Sequence, residues 1–355
     1  MGGGINGICC AWILAERGHR VVLYERDRLM QQTSSASSKL LHGGLRYLEY
    51  GELRLVREAL RERAWWLVHA PHLAHPLRLL LPVYRQGLRP RWQLKLGMLS
   101  YDLLSGFQGL GRHRWYGLAE LRNLVPQLNT QGLIGAYGYW DGQMDDHHLG
   151  LWAAEQARKT GARLLEHHPV LQVTLDGQIL QTEGAEQYDA VLNVAGPWAE
   201  ELLQQSQIVS PYHLDLVRGS HILLTGEPPP VGFCLETGED KRIFFVLPYQ
   251  GRILVGTTEV RQAVDQTPAC TQAEAEYLLR AYNRHFQDTR TDSDIIGSYA
   301  GMRPLLRSTQ DPSSLSREYV IWRDQRLLCV YGGKWTTARA LARKVANLLE
   351  TDVAG

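Results

Sequence analysis

The chain has 355 residues, of which 44% are hydrophobic and 21% are charged, a composition typical of a soluble globular protein with a large core. Its length favours two or three domains, and its net charge of +1 argues against the broad basic field of nucleic-acid-binding proteins. The five cysteines form no CxxC pair, so we predict a reducing compartment, no disulfide framework and no metal site. No apolar run reaches the ~18–20 residues of a spanning helix. We find no signal-peptide pattern and expect a cytoplasmic protein with at most peripheral membrane contact.

The start of the chain has the spacing of a dinucleotide-binding turn. Gly2 would allow a tight turn, Gly4 would let the backbone approach a pyrophosphate, and Gly7 would let a helix pack closely. That helix is predicted over residues 8–16, with its N-terminus facing the phosphates. A short strand would then end at Glu25, whose carboxylate would accept hydrogen bonds from ribose hydroxyls. The alternative is a flexible glycine-rich terminus, because such a turn normally follows a strand and the sequence starts at the turn.

The other predicted elements are helices and strands at both ends of the chain and mostly strands in the middle. Helices are predicted over residues 53–68, 149–160, 197–205 and 272–287 and after Gly332-Gly333-Lys334. Strands are predicted over residues 189–194 and 327–331 and within a β-rich block at 211–258, which includes a hairpin around Gln250-Gly251. This order predicts a discontinuous α/β nucleotide-binding domain with an inserted domain built on an antiparallel sheet. The first would comprise residues 1–75, 141–210 and 295–355, and the second 76–140 and 211–294.

The polar loop after the first strand carries a resemblance to a known family. The segment TSSASSKLLHGGLRYLEYGELRLVREAL resembles the FAD-dependent glycerol-3-phosphate dehydrogenases nearly residue for residue. Further matching segments follow in the family's order: APHLAHP, Asp145-Asp146, NVAGPW, RGSHILL, EDKRIFFVLPY, GTTE, YAGMRPL and GGKWTT. Together these segments cover almost the whole chain.

The resemblance implies a fold, a cofactor and a reaction. The fold would be a Rossmann-like FAD-binding domain of the glutathione-reductase and amino-acid-oxidase type with an inserted antiparallel sheet for the substrate. The reaction would oxidise sn-glycerol 3-phosphate to dihydroxyacetone phosphate by hydride transfer from C2 to flavin N5, with a membrane quinone as electron acceptor. The alternatives are a related flavoprotein that acts on a 2-hydroxy acid or an amine, and a truncated fragment without catalytic activity.

The chemistry of this substrate suggests a role for several residues. A phosphate dianion needs permanently charged, planar donors, so Arg46 and Arg303 are candidates, with Tyr47 as a hydroxyl donor. His221 is the candidate base for the substrate hydroxyl, and Lys334 is the candidate to hold the substrate oxygens or an alkoxide. The alternative roles are structural ion pairs for the arginines and a histidine satisfied within a sheet for His221.

The resemblance also implies a set of FAD contacts. The helix after Gly332-Gly333-Lys334 would direct its N-terminal amides at the negative charge near N1 of the reduced flavin. The implied contacts are Gly2, Gly4, Asn6, Gly7, Glu25, Thr33, Ser34, Ser35, Ser38, Lys39, Val170, Ala195, Gly196, Gly332, Gly333, Lys334 and Thr336.

A basic segment at residues 76–104 mixes Arg and Lys with Leu, Trp and Met. It is predicted to lie on an anionic membrane surface, which quinone reduction would require; the alternative is a basic surface over an amphipathic core element.

The chain departs from the family in two ways, since it has neither the apolar strand before the glycines nor the helical C-terminal domain of longer members. We therefore expect Met1 to be an internal start, and we leave a homo-oligomer open.

Overall fold

Helices form where apolar residues recur with helical spacing. The structure is a computed structural model that describes residues 1–87, 89–106, 110–238, 240, 242–307 and 319–351. In this part of the chain the helices are α1 Ile5–Glu16, α2 Leu53–His69, α3 Arg91–Leu104, α4 Leu118–Leu124, α5 Asp146–Lys159, α6 Ala199–Gln205, α7 Gln272–His285 and α8 Ala338–Thr351. The predicted helices are confirmed, with ends that differ by a few residues.

The strands follow the β-branched and aromatic runs. They are β1 Val22–Tyr24, β2 Leu40–Leu41, β3 Ala74–Tyr84, β4 Arg114–Tyr116, β5 Leu133–Met144, β6 Arg163–Leu165, β7 Gln172–Val173, β8 Gln178–Gln181, β9 Gly184–Gln187, β10 Val191–Asn193, β11 Leu214–Leu224, β12 Gly232–Glu236, β13 Ile243–Tyr249, β14 Arg252–Gly256, β15 Val260–Arg261, β16 Ile295–Leu306, β17 Val320–Asp324 and β18 Leu327–Tyr331. The basic segment at residues 76–104 thus divides into most of β3 and the helix α3.

A ten-stranded sheet forms the larger layer. Its order is β15-β11-β14-β13-β12-β3-β5-β2, with β16 paired to β11 and β4 paired to β5. The predicted hairpin is confirmed, because β13 and β14 pair antiparallel across the Gln250-Gly251 turn. The sheet is not wholly antiparallel, however, since β12 and β3 run parallel. A parallel pair needs a long connection, and here the intervening chain from β3 to β12 supplies it.

Two short parallel strand pairs lie outside the large sheet. Strand β1 pairs with β6, and β10 pairs with β18. Met1 and Gly2 lie between these two pairs: the amide of Gly2 donates to Tyr24 O at 2.9 Å, and the terminal amine of Met1 donates to Leu192 O at 2.7 Å. Helix α1 packs between α5 and α8 and is buried from Ile5 to Ala15 apart from Asn6. Burial on every side explains why this helix is apolar throughout.

The predicted domain boundaries do not coincide with the sheet. Strand β16 was placed in the FAD-binding part, yet it pairs with β11 along its length and belongs to the large sheet. Residues 308–318 and 352–355 of the same predicted part lie outside the described residues. The division into two domains stays a prediction. In the described part of the chain, no helix has the length and apolar character needed to cross a bilayer.

Candidate functional site

Three backbone segments approach one another closely at the glycine turn. Gly2 has φ +106°, and a Cβ on it would lie 2.4 Å from Val194 O at the end of β10. A Cβ on Gly7 would lie 1.9 Å from Gly2 O, so only glycine lets α1 begin this close to the turn. The amide of Ile5 donates to Ser34 Oγ at 3.0 Å, which joins the turn to the TSSASSK loop.

Polar groups of this turn face a long cavity. Glu25 directly follows β1 instead of ending it, and its carboxylate accepts from the amide of Gly3 at 2.6 Å and from the amide of Asp27 at 2.9 Å. Asn6 Nδ2 donates to Gly332 O at 3.3 Å, while its buried Oδ1 has no hydrogen-bond partner among the described residues. The N-terminus of α1 therefore offers amides, a carboxylate and an amide oxygen to a single ligand.

The TSSASSK loop divides into residues that line the cavity and residues that do not. Thr33 donates to Met302 O at 2.7 Å and lines the cavity, as do Ser34 and Ser38. Ser35 and Lys39 do not line it, so the structure does not bring them together with the other predicted contacts. Ser35 Oγ donates to Met30 O behind the loop.

The Lys39 side chain forms an ion pair with the buried carboxylate of Asp146. Its Nζ lies 2.6 Å from Asp146 Oδ1 and 2.8 Å from Ser35 O, and the backbone of Lys39 is left-handed with φ 58°. Asp146 also accepts from the amide and the hydroxyl of Ser37. Because removing one partner of a buried ion pair is costly, this pair fastens the loop to the start of α5.

Segments from later in the chain, including the turn at Gly332, also line the cavity. Gly332 and Gly333 have φ of 81° and 98°, conformations that suit glycine. Helix α8 begins at Ala338 instead of directly after Lys334, so a turn, not the first helical residues, faces the cavity. The predicted contacts that line the cavity are Gly2, Gly4, Asn6, Glu25, Thr33, Ser34, Ser38, Val170, Ala195, Gly196, Gly332, Gly333, Lys334 and Thr336. Gly7 lies behind this wall, in packing contact with Gly2.

The five candidate substrate residues also line this cavity. His221 on β11 and Arg303 on the neighbouring β16 line it together with Lys334, Arg46 and Tyr47. Lys334 Nζ lies 3.6 Å from the centre of the Tyr47 ring. Residues separated by almost 300 positions thus face one volume of about 1730 Å³, larger than the ~300–1,000 Å³ of common ligand pockets.

His221 is a buried, neutral imidazole. Its Nε2 lies 3.0 Å from Ser38 Oγ, its ring stacks on Tyr299 with centroids 4.8 Å apart, and its Nδ1 has no hydrogen-bond partner among the described residues. Burial lowers the pKa of His221 to about 3, and the charges of Arg303 and Lys39 add to that effect.

Arg303 is held by two residues of the GTTE segment. Its Nη2 donates to Thr258 O at 3.0 Å, and its Nη1 donates to Glu259 Oε1 at 3.3 Å. Glu259 is the last residue of the GTTE segment, and it lines the cavity, but no role was predicted for it. The position of Glu259 within a segment that matches the family could have indicated a role in the site.

This cavity fits a flavin dinucleotide. The helix N-terminus of α1 suits a pyrophosphate, the Glu25 carboxylate suits ribose hydroxyls, and the wall continues from there to His221 and Arg303. The chain belongs to the FAD-dependent oxidoreductase family, whose sequence pattern it matches over residues 1–348, and its cofactor is FAD. The predicted family resemblance, fold class and cofactor are confirmed.

Within this family the chain is similar to enzymes of polyol phosphates. It is 38% identical to a D-erythritol 1-phosphate dehydrogenase of Brucella abortus over 99% of this chain and 72% of that one. It is 36% identical to a glycerol-3-phosphate dehydrogenase of Pseudomonas aeruginosa over 99% of this chain and 70% of that one. The structure of the Bacillus halodurans glycerol-3-phosphate dehydrogenase with FAD aligns with a TM-score of 0.79 and 25% identity, over 99% of this chain and 64% of that one.

The Gly2→Ala variant tests the glycine turn. A methyl group at this position meets Val194 O in a backbone conformation that alanine rarely adopts, so we expect FAD affinity to fall by at least about tenfold. FAD content per chain, measured from the visible flavin absorbance after gel filtration, checks this. The matched control is Gly117→Ala, where a Cβ meets nothing within 4 Å. Equal FAD content in the two variants would show that the turn does not hold the cofactor.

Proposed function

We propose that the protein oxidises the secondary alcohol of sn-glycerol 3-phosphate to the ketone of dihydroxyacetone phosphate. The observation that carries this proposal is the placement of a permanent cation, Arg303, and a neutral histidine, His221, in the wall of one FAD-sized cavity. FAD, when bound, supplies the acceptor for the hydride that leaves C2. The similarity to glycerol-3-phosphate dehydrogenases supports the choice of substrate.

The phosphate group binds at the cationic end of the cavity. The contacts of Arg303 with Thr258 O and Glu259 hold its guanidinium in place before substrate arrives. Arg46 and Lys334 line the same cavity and add positive charge. A guanidinium suits this task because it stays charged and presents several N–H donors in one plane.

His221 takes the proton of the C2 hydroxyl. The imidazole is neutral near pH 7, because its pKa lies well below 7, so it can accept a proton. The Ser38 hydroxyl and the Tyr299 ring hold it in one orientation. A phosphate dianion at Arg303 offsets a charge that contributes to the low pKa, so substrate binding raises the pKa of His221 and makes it a stronger base.

The Arg303→Ala variant tests the phosphate assignment. Loss of a charge-assisted donor costs roughly 1.5–3 kcal/mol, so we expect KM for sn-glycerol 3-phosphate to rise about 10- to 100-fold while FAD stays bound. Steady-state kinetics with an artificial electron acceptor measure this. The control is Arg307→Ala near the end of the same strand, whose exposed side chain bonds Asp215. An unchanged KM in Arg303→Ala would place the phosphate elsewhere and favour a substrate without one.

A second candidate substrate is D-erythritol 1-phosphate. The 38% identity to an enzyme named for that substrate favours it, and its phosphate would use the same arginine. We expect kcat/KM to be higher for sn-glycerol 3-phosphate, because it is the substrate named for most of the similar enzymes reported above. Parallel steady-state measurements with both substrates decide the question. A higher kcat/KM for D-erythritol 1-phosphate would reassign the substrate within the polyol phosphates.

We further propose that the electrons pass to a quinone at an anionic membrane surface. Helix α3 exposes an apolar stripe, defined by Trp92, Leu96, Leu99 and Leu103, whose spacing places all four on one face. Lys95 is exposed beside it. Leu96 also lines the cavity, so the cavity opens beside the stripe, and an apolar acceptor could enter from a bilayer there.

The double variant Trp92→Ser, Leu103→Ser tests the apolar stripe. Both side chains are 70% exposed, so we expect the fold to tolerate the changes and binding to vesicles containing phosphatidylglycerol to fall by at least about tenfold. Co-sedimentation measures the binding. Val209→Ser, at a site that is 89% exposed, is the control. Equal sedimentation of the double variant and the wild type would remove the stripe from the membrane contact.

A further inference from the structure

We propose that Glu274, which lies behind the cavity wall, positions Arg303 and His221 through Thr258 and Ser220. This inference rests on the proposed function, because it assigns Glu274 a task at the phosphate-binding end of the same site. Glu274 does not line the cavity, and neither Arg303 nor His221 is among the hydrogen-bond partners found for it in the described part of the chain, so it is a positioning residue. It was not singled out from the sequence, where it lies in the helix predicted over residues 272–287.

The two carboxylate oxygens of Glu274 accept hydrogen bonds from different parts of the structure. Oε2 caps α7, accepting from the amide of Thr271 at 3.1 Å and from its hydroxyl at 2.8 Å. Oε1 faces the large sheet, accepting from the hydroxyl of Thr258 at 2.6 Å and from the hydroxyl of Ser220 at 2.8 Å. A helix cap alone needs only the first set of contacts. The second set connects the carboxylate to the segment that carries the site.

Thr258 links Glu274 to Arg303 through two hydrogen bonds. Its hydroxyl donates to Glu274, its backbone carbonyl accepts from Arg303 Nη2 at 3.0 Å, and its hydroxyl oxygen accepts from the amide of Ser220 at 2.9 Å. Ser220 directly precedes His221 on β11. A Cβ on Gly219 would lie 3.2 Å from Arg303 Nη2, so the guanidinium lies close to the backbone of β11 just before Ser220.

The charge of Glu274 sets the direction of these hydrogen bonds. Burial disfavours the charged form, but hydrogen bonds from Thr258, Ser220 and Thr271 outweigh it and lower the pKa of Glu274. Arg218 Nη2 lies 2.7 Å from Oε2 and balances the charge. Because a carboxylate only accepts, the Thr258 hydroxyl must donate to it, which leaves the hydroxyl oxygen free to accept from Ser220.

Two substitutions break the hydrogen-bonded connection from Glu274 through Thr258 to Arg303, and two others leave it intact. Thr258→Val keeps the shape of the side chain and removes its hydroxyl, whereas Glu274→Gln replaces an acceptor oxygen with a donor. Thr258→Ser retains the hydroxyl and should behave as the wild type. Thr271→Ala removes a contact of Oε2 only, so it should lower the melting temperature and leave substrate binding unchanged.

The experiment uses the FAD-loaded protein and two readouts. We expect Thr258→Val and Glu274→Gln to raise KM for sn-glycerol 3-phosphate about tenfold, with kcat within about threefold of the wild type. Calorimetry with inorganic phosphate should show a similar loss of affinity without turnover. Glu276→Gln, an exposed change on the same helix, is the matched control.

The outcomes separate this inference from the proposed function. If Glu274→Gln melts at a lower temperature but keeps the wild-type KM and phosphate affinity, Glu274 is only a helix cap and the inference is overturned. If the wild type does not oxidise sn-glycerol 3-phosphate, the proposed function fails, and phosphate affinity alone decides on Glu274. A loss of phosphate affinity in Glu274→Gln and Thr258→Val, but not in Thr258→Ser or Thr271→Ala, supports it.

Discussion

The close backbone approach at Gly2 is the constraint on which the rest of the site depends. Met1 and Gly2 bond to β10 on one side and to Tyr24 of β1 on the other, so the two short parallel pairs meet at these residues. Helix α1 starts directly after them because Gly7 has no side chain to meet Gly2 O. The Ser34 hydroxyl then fastens the TSSASSK loop to α1, and Asn6 contacts the turn at Gly332. A larger residue at Gly2 or Gly7 would disturb all of these contacts.

The positive charges of Lys39 and Arg303 are balanced in different ways. Lys39 is neutralised by Asp146 in the interior, so its charge stabilises the loop instead of facing the ligand. Arg303 is held by Glu259 and by a carbonyl, yet it lines the cavity, where a doubly charged phosphate can compete for its donors. Between them lies His221, kept neutral mainly by burial. This arrangement distinguishes a cation that is paired in the interior from one that faces the cavity, and it keeps the nearby imidazole uncharged.

Local patterns could predict much of the fold and part of the site. The glycine spacing, the strand predicted to end at Glu25 and the hairpin at Gln250-Gly251 depend on neighbouring residues. In the structure that strand ends one residue earlier, at Tyr24, and the hairpin lies where the sequence placed it. The inward direction of the Lys39 side chain could not be predicted, because it depends on Asp146, a partner more than 100 positions away. Glu274 was missed for the same reason, since it reads as an ordinary capping residue until the sheet brings Thr258 beside it. The start of α8 at Ala338 likewise follows from tertiary contacts of the preceding turn, such as Trp66 Nε1 with Thr336 O.

Reduction of the bound FAD in a single turnover tests the central claim most directly. FAD-loaded protein is mixed anaerobically with one equivalent of sn-glycerol 3-phosphate, and the visible flavin absorbance and the ketone product are followed together. The account predicts that the flavin bleaches and that one dihydroxyacetone phosphate forms per flavin, while glycerol without a phosphate leaves the spectrum unchanged over the same time. A flavin that stays oxidised with sn-glycerol 3-phosphate, or that bleaches equally well with glycerol or with an amino acid, would contradict the account.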